Sequence, residues 1–319
     1  MNLGGYEILG PIGSGGAGTV FRARAPSGEF VAIKVLHRSD VTASARLKRE
    51  LDVQRSLGDG FVPLLASGAA PQGAFIVMPL IEGGTLRERL KRGPLPLAEA
   101  IRLGVELGDA LGRAHGSGII HRDLKPENVL YHSGRPLIAD LGLAKLVDSN
   151  DSLSRTGDTR GTFGYMPPEQ MRDAKRAGPA ADVFSLGVVI FECLAGESPF
   201  RGETPLLLVD AVEEGRFVPL RKLRPDVPRA VASVIERALA ADEDDRFEDG
   251  EEFAEALRRA WRKGARPRAT LIVVATALAV AGGFGAAILS RPRPLSAPNP
   301  AAPPAPPKPP SPTTTTTTP

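Results

Sequence analysis

Polar side chains of different chemistry are concentrated in residues 119–130, "IIHRDLKPENVL". An imidazole, two cations, a carboxylate and an amide fall within eight positions, at His121, Arg122, Lys125, Asp123 and Asn128. An ordinary surface loop carries scattered charges and has no apolar pair on each side. The two apolar pairs predict short buried strands, and a polar loop fixed on a rigid scaffold is a common place for chemistry.

A glycine-rich stretch near the start of the chain could bind phosphate. In "IGSGGAGTV", Gly13, Gly15 and Gly18 have the spacing G-x-G-x-x-G and are followed by Val20. Glycine lets backbone N–H groups approach phosphate oxygens without obstruction by a side chain. A strand is predicted to follow, whereas a dinucleotide fingerprint needs a helix there. On this motif alone, an ordinary glycine-rich hairpin remains an alternative.

A lysine in the middle of an apolar strand is the third candidate. Lys34 lies in "VAIKVL", fourteen residues after Val20. A buried ammonium needs an acidic partner, and Glu50 on the next predicted helix lies at a suitable distance along the chain. The alternative is a lysine that faces solvent on an edge strand.

The elements that must position these residues change in type along the chain. Residues 6–36 predict three strands with a hairpin turn at residues 26–28, and residues 73–80 predict another strand. Helical spacing occurs in residues 44–57, 97–118, 181–196, 229–242 and 250–262. Because a strand-rich part precedes a helix-rich part, the sequence predicts an α+β fold with two lobes and a cleft between them.

Composition excludes several other classes of function. The chain has 319 residues, 42% of them hydrophobic and 24% charged, which is typical of a globular protein. A net charge of +3 is small for this length and gives no argument for nucleic acid as a partner. The only cysteine, Cys193, excludes an internal disulfide and a cysteine cluster for zinc. Its apolar surroundings predict a buried packing role rather than a reactive thiol.

The C-terminal part predicts a membrane anchor. Residues 269–290 contain no charged side chain, and a helix of about 20 residues crosses a bilayer. Six basic residues precede this run within residues 258–268, and only Arg291 and Arg293 closely follow it. Basic flanks stay cytoplasmic, so residues 1–268 are expected in the cytoplasm, with a basic juxtamembrane segment at 263–268. Residues 291–319 are rich in proline and threonine and predict a disordered tail outside the cell.

The stretch "HRDLKPEN", with "VAIKVL" before it and "IADLGLAK" after it, resembles the eukaryotic-type serine/threonine protein kinase family. The resemblance covers about residues 6–262, with the motifs in the family's order. It implies that Asp123 orients the substrate hydroxyl and accepts its proton, and that Lys125 steadies the transferred γ-phosphate. It further implies that Lys34 holds the α- and β-phosphates and pairs with Glu50.

The resemblance also implies the cofactors, which are ATP and Mg²⁺, with two ions expected and Mn²⁺ as an alternative. Asn128 and Asp140 would each hold one ion. Met78 stands at the gatekeeper position and Pro79, Leu80 and Ile81 form the hinge, where the N–H of Ile81 would meet the adenine. The residues expected around ATP are Ile12, Gly13, Ser14, Gly15, Gly16, Ala17, Gly18, Thr19, Val20, Ala32, Lys34, Met78, Pro79, Ile81 and Leu130.

Further motifs match the helical part of such kinases. "GTFGYMPPE" resembles the end of an activation segment, which forms a shelf for peptide docking, and Thr162 in it would contact Asp123 and Lys125. Pro167 stands where the family usually has alanine. Glu169 is expected to pair with Arg246 inside the helical lobe.

Two further expectations concern how the backbone of the catalytic loop is held and how phosphorylation would regulate the kinase. Asp182 is expected to anchor the backbone of the catalytic loop. Arg122, directly before Asp123, would be a partner for a phosphate on the activation segment. Thr156 and Thr159 are the favoured acceptors, and the alternative is that they are solvated loop hydroxyls.

A kinase domain followed by a single predicted span resembles the bacterial membrane serine/threonine kinases, and this resemblance implies a location at the bacterial cytoplasmic membrane and protein substrates. A homodimer is one arrangement that would allow autophosphorylation. Two rival hypotheses are a pseudokinase scaffold that binds nucleotide without catalysis and a small-molecule kinase of similar fold. The presence of Lys34, Asp123, Asn128 and Asp140 argues against the first, and the peptide-docking segment argues against the second.

Overall fold

The computed structural model describes residues 2–15, 18–36, 55, 57–71, 73–141, 163–173 and 176–264. These belong to one unit, Met1–Arg266. The predicted helix at 44–57 lies almost entirely outside the described residues, as does all of the predicted membrane span. The site residues outside them are Gly16, Ala17, Glu50, Thr156, Thr159 and Thr162.

The N-terminal lobe is an antiparallel sheet with the strand order β1-β2-β3-β4-β6-β5. The strands are β1 (Asn2–Leu3), β2 (Tyr6–Gly15), β3 (Gly18–Arg24), β4 (Phe30–Leu36), β5 (Ala66–Ala70) and β6 (Gly73–Pro79). The three predicted strands in residues 6–36 and the one near residue 73 are confirmed. So is the turn at 26–28, where the N–H of Gly28 donates to the carbonyl of Ala25 at 2.8 Å.

Side chains of β4 alternate between the two faces of the sheet, as the period of a strand requires. Val31 and Ile33 pack with Phe75 in the core of this lobe. Ala32 and Lys34 therefore lie on the opposite face, where they pair in register with Met78 and Ile76 of β6. The alternation places Lys34 on the face away from the lobe's own core.

The C-terminal lobe is helical. Its helices are α1 (Leu86–Leu90), α2 (Leu97–Gly116), α3 (Pro168–Arg172), α4 (Pro179–Ala195), α5 (Pro205–Glu213), α6 (Leu220–Leu223), α7 (Arg229–Ala238) and α8 (Gly250–Gly264). The predicted helices at 97–118, 181–196, 229–242 and 250–262 are confirmed as α2, α4, α7 and α8. Helix α4 is buried on every side from Ala181 to Leu194. It includes Cys193, whose pKa is raised by burial, as expected for a packing residue.

The structure adds a short strand and a few helical residues at the two ends of the predicted domain at 6–262, because described secondary structure begins at Asn2 and continues to Gly264. Of the two apolar pairs around the polar loop, only the second forms a strand: β7 (Val129–His132) pairs with β8 (Arg135–Ile138). Ile119 and Ile120 form no strand, because the N–H of Ile119 still bonds to the carbonyl of Ala114 at the end of α2.

Among the helices of the described residues, none combines the length and the hydropathy needed to cross a bilayer.

Candidate active site

One buried carboxylate fixes the backbone of the catalytic loop. Asp182, at the start of α4, accepts hydrogen bonds from the N–H groups of His121 and Arg122, both at 2.7 Å. Its third partner is Nε2 of His115 on α2, at 2.9 Å. Burial would raise the pKa of Asp182, but the hydrogen bond from His115 and these loop contacts lower it below its ordinary value. These bonds confirm the expectation that Asp182 anchors the backbone of the catalytic loop.

The ring of His121 holds the loop from within. It is fully buried, and its Nδ1 accepts from the N–H of Asp123 at 3.1 Å. A neutral imidazole with an accepting Nδ1 carries its proton on Nε2, which lies 2.8 Å from the carbonyl of Ala139. His121 therefore joins Asp123 to the residue before Asp140.

Arg122 has a strained backbone that its neighbours hold in place. Its φ of 67° lies in the left-handed region, which a non-glycine residue rarely adopts. Its carbonyl accepts from Nε2 of Gln170 on α3 at 2.7 Å. Backbone strain of this kind persists where the surroundings determine the conformation, and it clusters at active sites.

The carboxylate of Asp123 has one partner for each oxygen. Nζ of Lys125 lies 2.9 Å from Oδ1, and Nδ2 of Asn128 lies 3.0 Å from Oδ2. The same amide nitrogen donates to the Asp123 carbonyl at 2.7 Å. The side chain of Asp123 remains 34% exposed, so a hydroxyl can reach it. This arrangement suits a general base that is oriented by its neighbours.

Lys34 is buried and forms an ion pair across the lobes. Its Nζ lies 2.6 Å from Oδ2 of Asp140, and its side chain is only 5% exposed. The alternative of a lysine that faces solvent on an edge strand is therefore wrong. The predicted pairing with Glu50 stays a prediction, because Glu50 lies outside the described residues. Asp140 also has a left-handed backbone, with a φ of 62°.

Asn128 and Asp140 offer oxygen atoms of the kind that a hard divalent cation binds. Because the amide nitrogen of Asn128 faces Asp123, its carbonyl oxygen remains outside that bond. A carboxylate from Asp140 and this carbonyl oxygen are ligands that Mg²⁺ prefers. Within the described residues no three acidic, histidine or cysteine side chains form a metal cluster. Such a site suits an ion that also takes oxygens from a phosphorylated substrate.

The three glycines of the phosphate-binding motif differ in what surrounds them. A Cβ at Gly18 would lie 2.3 Å from the carbonyl oxygen of Val35, so packing of β3 on β4 requires glycine there. A Cβ at Gly13 or Gly15 would meet nothing within 4 Å. Packing therefore explains Gly18 alone, and the other two glycines leave open space beside an exposed backbone.

The residues expected around ATP lie on neighbouring strands and in the hinge. Ala32 on β4 is buried opposite Met78 on β6, and Val20 on β3 is opposite Lys34. Leu130, half-buried on β7, bridges to Thr85 just beyond the hinge. Exposed Ile12 and Ser14 lie on β2, Thr19 on β3, and Pro79 and Ile81 in the half-buried hinge.

A second buried ion pair stabilises the helical lobe beside this site. Arg246 binds Glu169 through two bonds, of 2.7 and 2.9 Å, and is almost fully buried. Its guanidinium also stacks over the ring of Phe184 at 5.0 Å. The predicted pair is confirmed, and it joins the end of the docking segment to the residues before α8.

Sequence reasoning missed the side chains that support the site from a distance. Gln170 bonds to the catalytic loop directly and His115 supports the loop through Asp182, but neither belongs to a recognisable motif. His115 also accepts from the N–H of Gly250, 135 residues away. No local pattern reports such contacts, because they form only when distant helices pack together.

A two-lobed α+β fold with these residues at its cleft defines the class of protein kinases. The protein kinase domain family matches residues 6–261, and the chain belongs to this family.

Its curated relatives include bacterial serine/threonine kinases. It is 34% identical over 256 residues to a probable serine/threonine-protein kinase PknB of Lactococcus lactis, covering 78% of this chain and 40% of the relative. It is 32% identical over 265 residues to the serine/threonine-protein kinase PrkC of Bacillus subtilis, covering 81% of this chain and 41% of the relative. The chain thus spans about two fifths of the length of these relatives.

The fold also matches a solved structure. The crystal structure of Rad53 residues 1–466 in complex with AMP-PNP aligns with a TM-score of 0.66 and 24% identity, covering 81% of this chain and 65% of that one. At this identity the likeness supports the two-lobed fold alone.

Proposed function

We propose that the chain is an active serine/threonine protein kinase that transfers the γ-phosphate of ATP to Ser or Thr hydroxyls of proteins. The arrangement around Asp123 carries this proposal. Its carboxylate is oriented by Lys125 and Asn128 on a loop whose backbone is fixed by Asp182. Phosphoryl transfer depends mainly on positioning and charge neutralisation, which such a rigid polar loop supplies.

In the proposed reaction, Asp123 accepts the proton of the substrate hydroxyl. The hydroxyl oxygen forms a bond to the γ-phosphorus, the bond between that phosphorus and the β–γ bridging oxygen breaks, and ADP leaves. Lys125 and Lys34 place positive charge beside the phosphates. Asn128 and Asp140 would hold Mg²⁺, two ions in the expected arrangement, or Mn²⁺ instead. The ions supply charge neutralisation for the phosphates.

The rival pseudokinase hypothesis has less support. Lys34 and Asp140 form an ion pair, and Asp123 and Asn128 are bonded to one another. All four side chains proposed for catalysis are therefore present and paired, which supports an active kinase. The relatives described above are called serine/threonine kinases, which favours protein hydroxyls over small molecules as the acceptor.

The test replaces the proposed base. Asp123→Asn keeps the size of the side chain but cannot accept the proton, so we expect turnover to fall by about 10²- to 10⁴-fold. Transfer of labelled phosphate to a protein substrate measures turnover, and a fluorescent ATP analogue measures nucleotide binding, which should persist. Asp226→Asn removes a carboxylate on the surface and serves as the control. Wild-type turnover in Asp123→Asn would contradict the proposal.

Anchoring in the bacterial cytoplasmic membrane is a second part of the proposal. It rests on the uncharged run at 269–290 and on the excess of basic residues before it. Protease added to intact cells is expected to remove no more than the tail after residue 290, and detergent should be needed to release the chain from membranes. Digestion of the kinase domain from outside would reverse the orientation.

Control by phosphorylation of the activation segment is the third part. Arg122 lies directly before Asp123, and a phosphate carries about −1.5 to −2 charges that an arginine can bind. Thr156 and Thr159 are the proposed acceptors, with autophosphorylation between two copies as the route. Mass spectrometry of the purified chain locates the phosphates. A Thr156→Ala/Thr159→Ala double mutant with full activity would rule out this control while leaving the catalytic assignment intact.

A further inference from the structure

Arg87, which the catalytic assignments do not use, lies where four elements meet beside the catalytic loop. On helix α1, its Nε donates to Oε1 of Glu127, and its Nη1 donates to Oε1 of Glu192, both at 2.6 Å. Its Nη2 donates to the hydroxyl of Tyr165 at 2.5 Å. Each of the three guanidinium nitrogens therefore donates to a different residue.

The partners of Arg87 lie in segments that carry distinct functions. Glu127 lies in the catalytic loop, between Lys125 and Asn128. Tyr165 lies in "GTFGYMPPE", the segment that resembles a peptide-docking shelf, and Glu192 lies on the buried helix α4. Arg87 itself follows the hinge by a few residues. One side chain thus joins the hinge side, the catalytic loop and the docking segment.

Charge makes this contact strong. The Arg87 side chain is 27% exposed and that of Glu192 only 11%, so both are largely removed from water. Burial lowers the pKa of Arg87, but hydrogen bonds to Glu192 and Glu127 outweigh it and raise the pKa overall. Burial and the nearby charge of Glu192 raise the pKa of Tyr165, so its hydroxyl stays protonated and donates to Glu192.

The N-terminal end of helix α1, which carries Arg87, is held by a cap and by close packing. Thr85 and Glu88 form a reciprocal capping box, with bonds of 3.1 and 2.9 Å. The N–H of Tyr131, on the strand after the catalytic loop, donates to the carbonyl of Gly84 at 3.0 Å. A Cβ at Gly83 would lie 2.0 Å from the Tyr131 carbonyl oxygen, so the chain can pass this closely only with glycine there. The backbone that carries the Arg87 side chain is therefore held in one position.

We propose that Arg87 is a positioning residue for the protein substrate: it holds Tyr165 and the docking segment in register with the catalytic loop. The proposal rests on the proposed kinase function. The Lys34–Asp140 ion pair lies outside this network, so we expect it to persist when Arg87 is lost. Loss of Arg87 is therefore expected to weaken use of the protein substrate without weakening use of ATP.

The experiment compares Arg87→Met with Arg89→Met in the full-length chain. Arg89 lies on the same helix but pairs only weakly with Glu99, at 3.5 Å, so it is a matched control. We expect Arg87→Met to raise KM for a protein substrate by about 10-fold, the size of one lost charge-assisted hydrogen bond. KM for ATP should stay within about two-fold of wild type in both variants.

The separation of KM values distinguishes positioning from stability. A variant that only unfolds more easily has less active enzyme, which lowers apparent kcat and leaves both KM values unchanged. Arg87→Lys keeps the charge but has one donor centre instead of a planar fork. Its KM for protein is expected between those of wild type and Arg87→Met.

If Arg87→Met does not fold, Tyr165→Phe gives the answer, because it removes only the hydroxyl that links Arg87 to the docking segment. We expect a rise of about 3-fold in KM for protein with KM for ATP unchanged. Equal KM values in wild type, Tyr165→Phe and the Arg87 variants would overturn the proposal while the kinase function stands. A wild-type chain that phosphorylates no protein would overturn both.

Discussion

The catalytic loop (residues 119–130) and the glycine-rich hairpin (residues 10–20) lie on opposite lobes and differ in how they are held. The loop donates two backbone hydrogen bonds to Asp182 on α4 and accepts one from Gln170 on α3, and the His121 ring is buried beneath it. In the hairpin, residues 11–15 are all exposed, and the pairing of β2 with β3 shifts register twice.

The difference follows from what each part must do in the proposed reaction. A general base must be aimed to within a fraction of an ångström, and buried polar bonds are the means of fixing it. A phosphate-binding hairpin has to let nucleotide enter and leave, so exposure of its backbone suits it. Changes in the loop should therefore affect stability and activity together, and changes in the hairpin should separate them.

The largest effect is expected from Asp182→Asn. The amide has one accepting oxygen, so it cannot serve His115 and the N–H groups of His121 and Arg122 together. Removing one partner from a buried ionic network typically costs about 3–5 kcal/mol. Denaturant unfolding should show this loss of unfolding free energy, and kinase turnover should fall as well. Unchanged stability would mean that the loop is held by other contacts.

The pH dependence of the same variant sharpens the result. The pKa of Asp182 is lower in the folded chain than its ordinary value of 3.8. A group of this kind stabilises the fold fully above its unfolded pKa, and the contribution is lost as pH falls through the lower folded pKa. The stability difference between wild type and Asp182→Asn should therefore shrink as pH falls below about pH 4. Thermal melts at a series of acidic pH values measure it.

Lys34→Met is expected to affect activity much more than stability. Methionine fills a similar volume on β4, and Asp140, which is 28% exposed, can take water in place of the ammonium. Loss of a positive charge beside the phosphates should reduce turnover by about 10²- to 10³-fold. Melting temperature and phosphate transfer, measured on one preparation, separate the two effects. A large fall in melting temperature would show that the ion pair also stabilises the fold.

Gly18→Ala should destabilise the hairpin. Its Cβ would overlap the backbone carbonyl of Val35, which cannot move without shifting β4. Overpacking of this kind costs typically about 1–3 kcal/mol. Chemical denaturation of the purified variant tests this estimate, and wild-type stability would show that β4 adjusts easily.

Gly13→Ala should have the smallest effect of these variants. Unlike Gly18→Ala, it should weaken nucleotide binding and leave stability unchanged. Its Cβ meets nothing within 4 Å, so stability should remain close to wild type. The methyl group stands beside a backbone proposed to approach phosphate, and KM for ATP should rise about 3- to 10-fold, comparable to one lost hydrogen bond. KM for ATP and unfolding free energy should be measured for both glycine variants side by side. Equal changes in the two variants would show that Gly13 and Gly18 do not have different roles.

Much of the fold was predictable because its signals are local. Alternation in residues 6–36 and helical spacing in α2, α4, α7 and α8 follow from the positions of apolar side chains. Strand β1 was missed because two residues are too few to show a period. Ile119 and Ile120 were wrongly assigned to a strand, because an apolar pair does not reveal whether its N–H groups bond to a strand or to a preceding helix.

The sequence by itself determined which chemical groups are available and in what order they occur. It placed Asp123, Lys125 and Asn128 on one short loop, where spacing alone keeps them together. Only the tertiary structure decided which distant groups hold them. Asp182 lies about sixty residues from the loop that it anchors, and Arg87 meets Glu192 across 105 residues. Such pairs depend on how helices pack, and packing is a property of the whole chain that no local pattern contains.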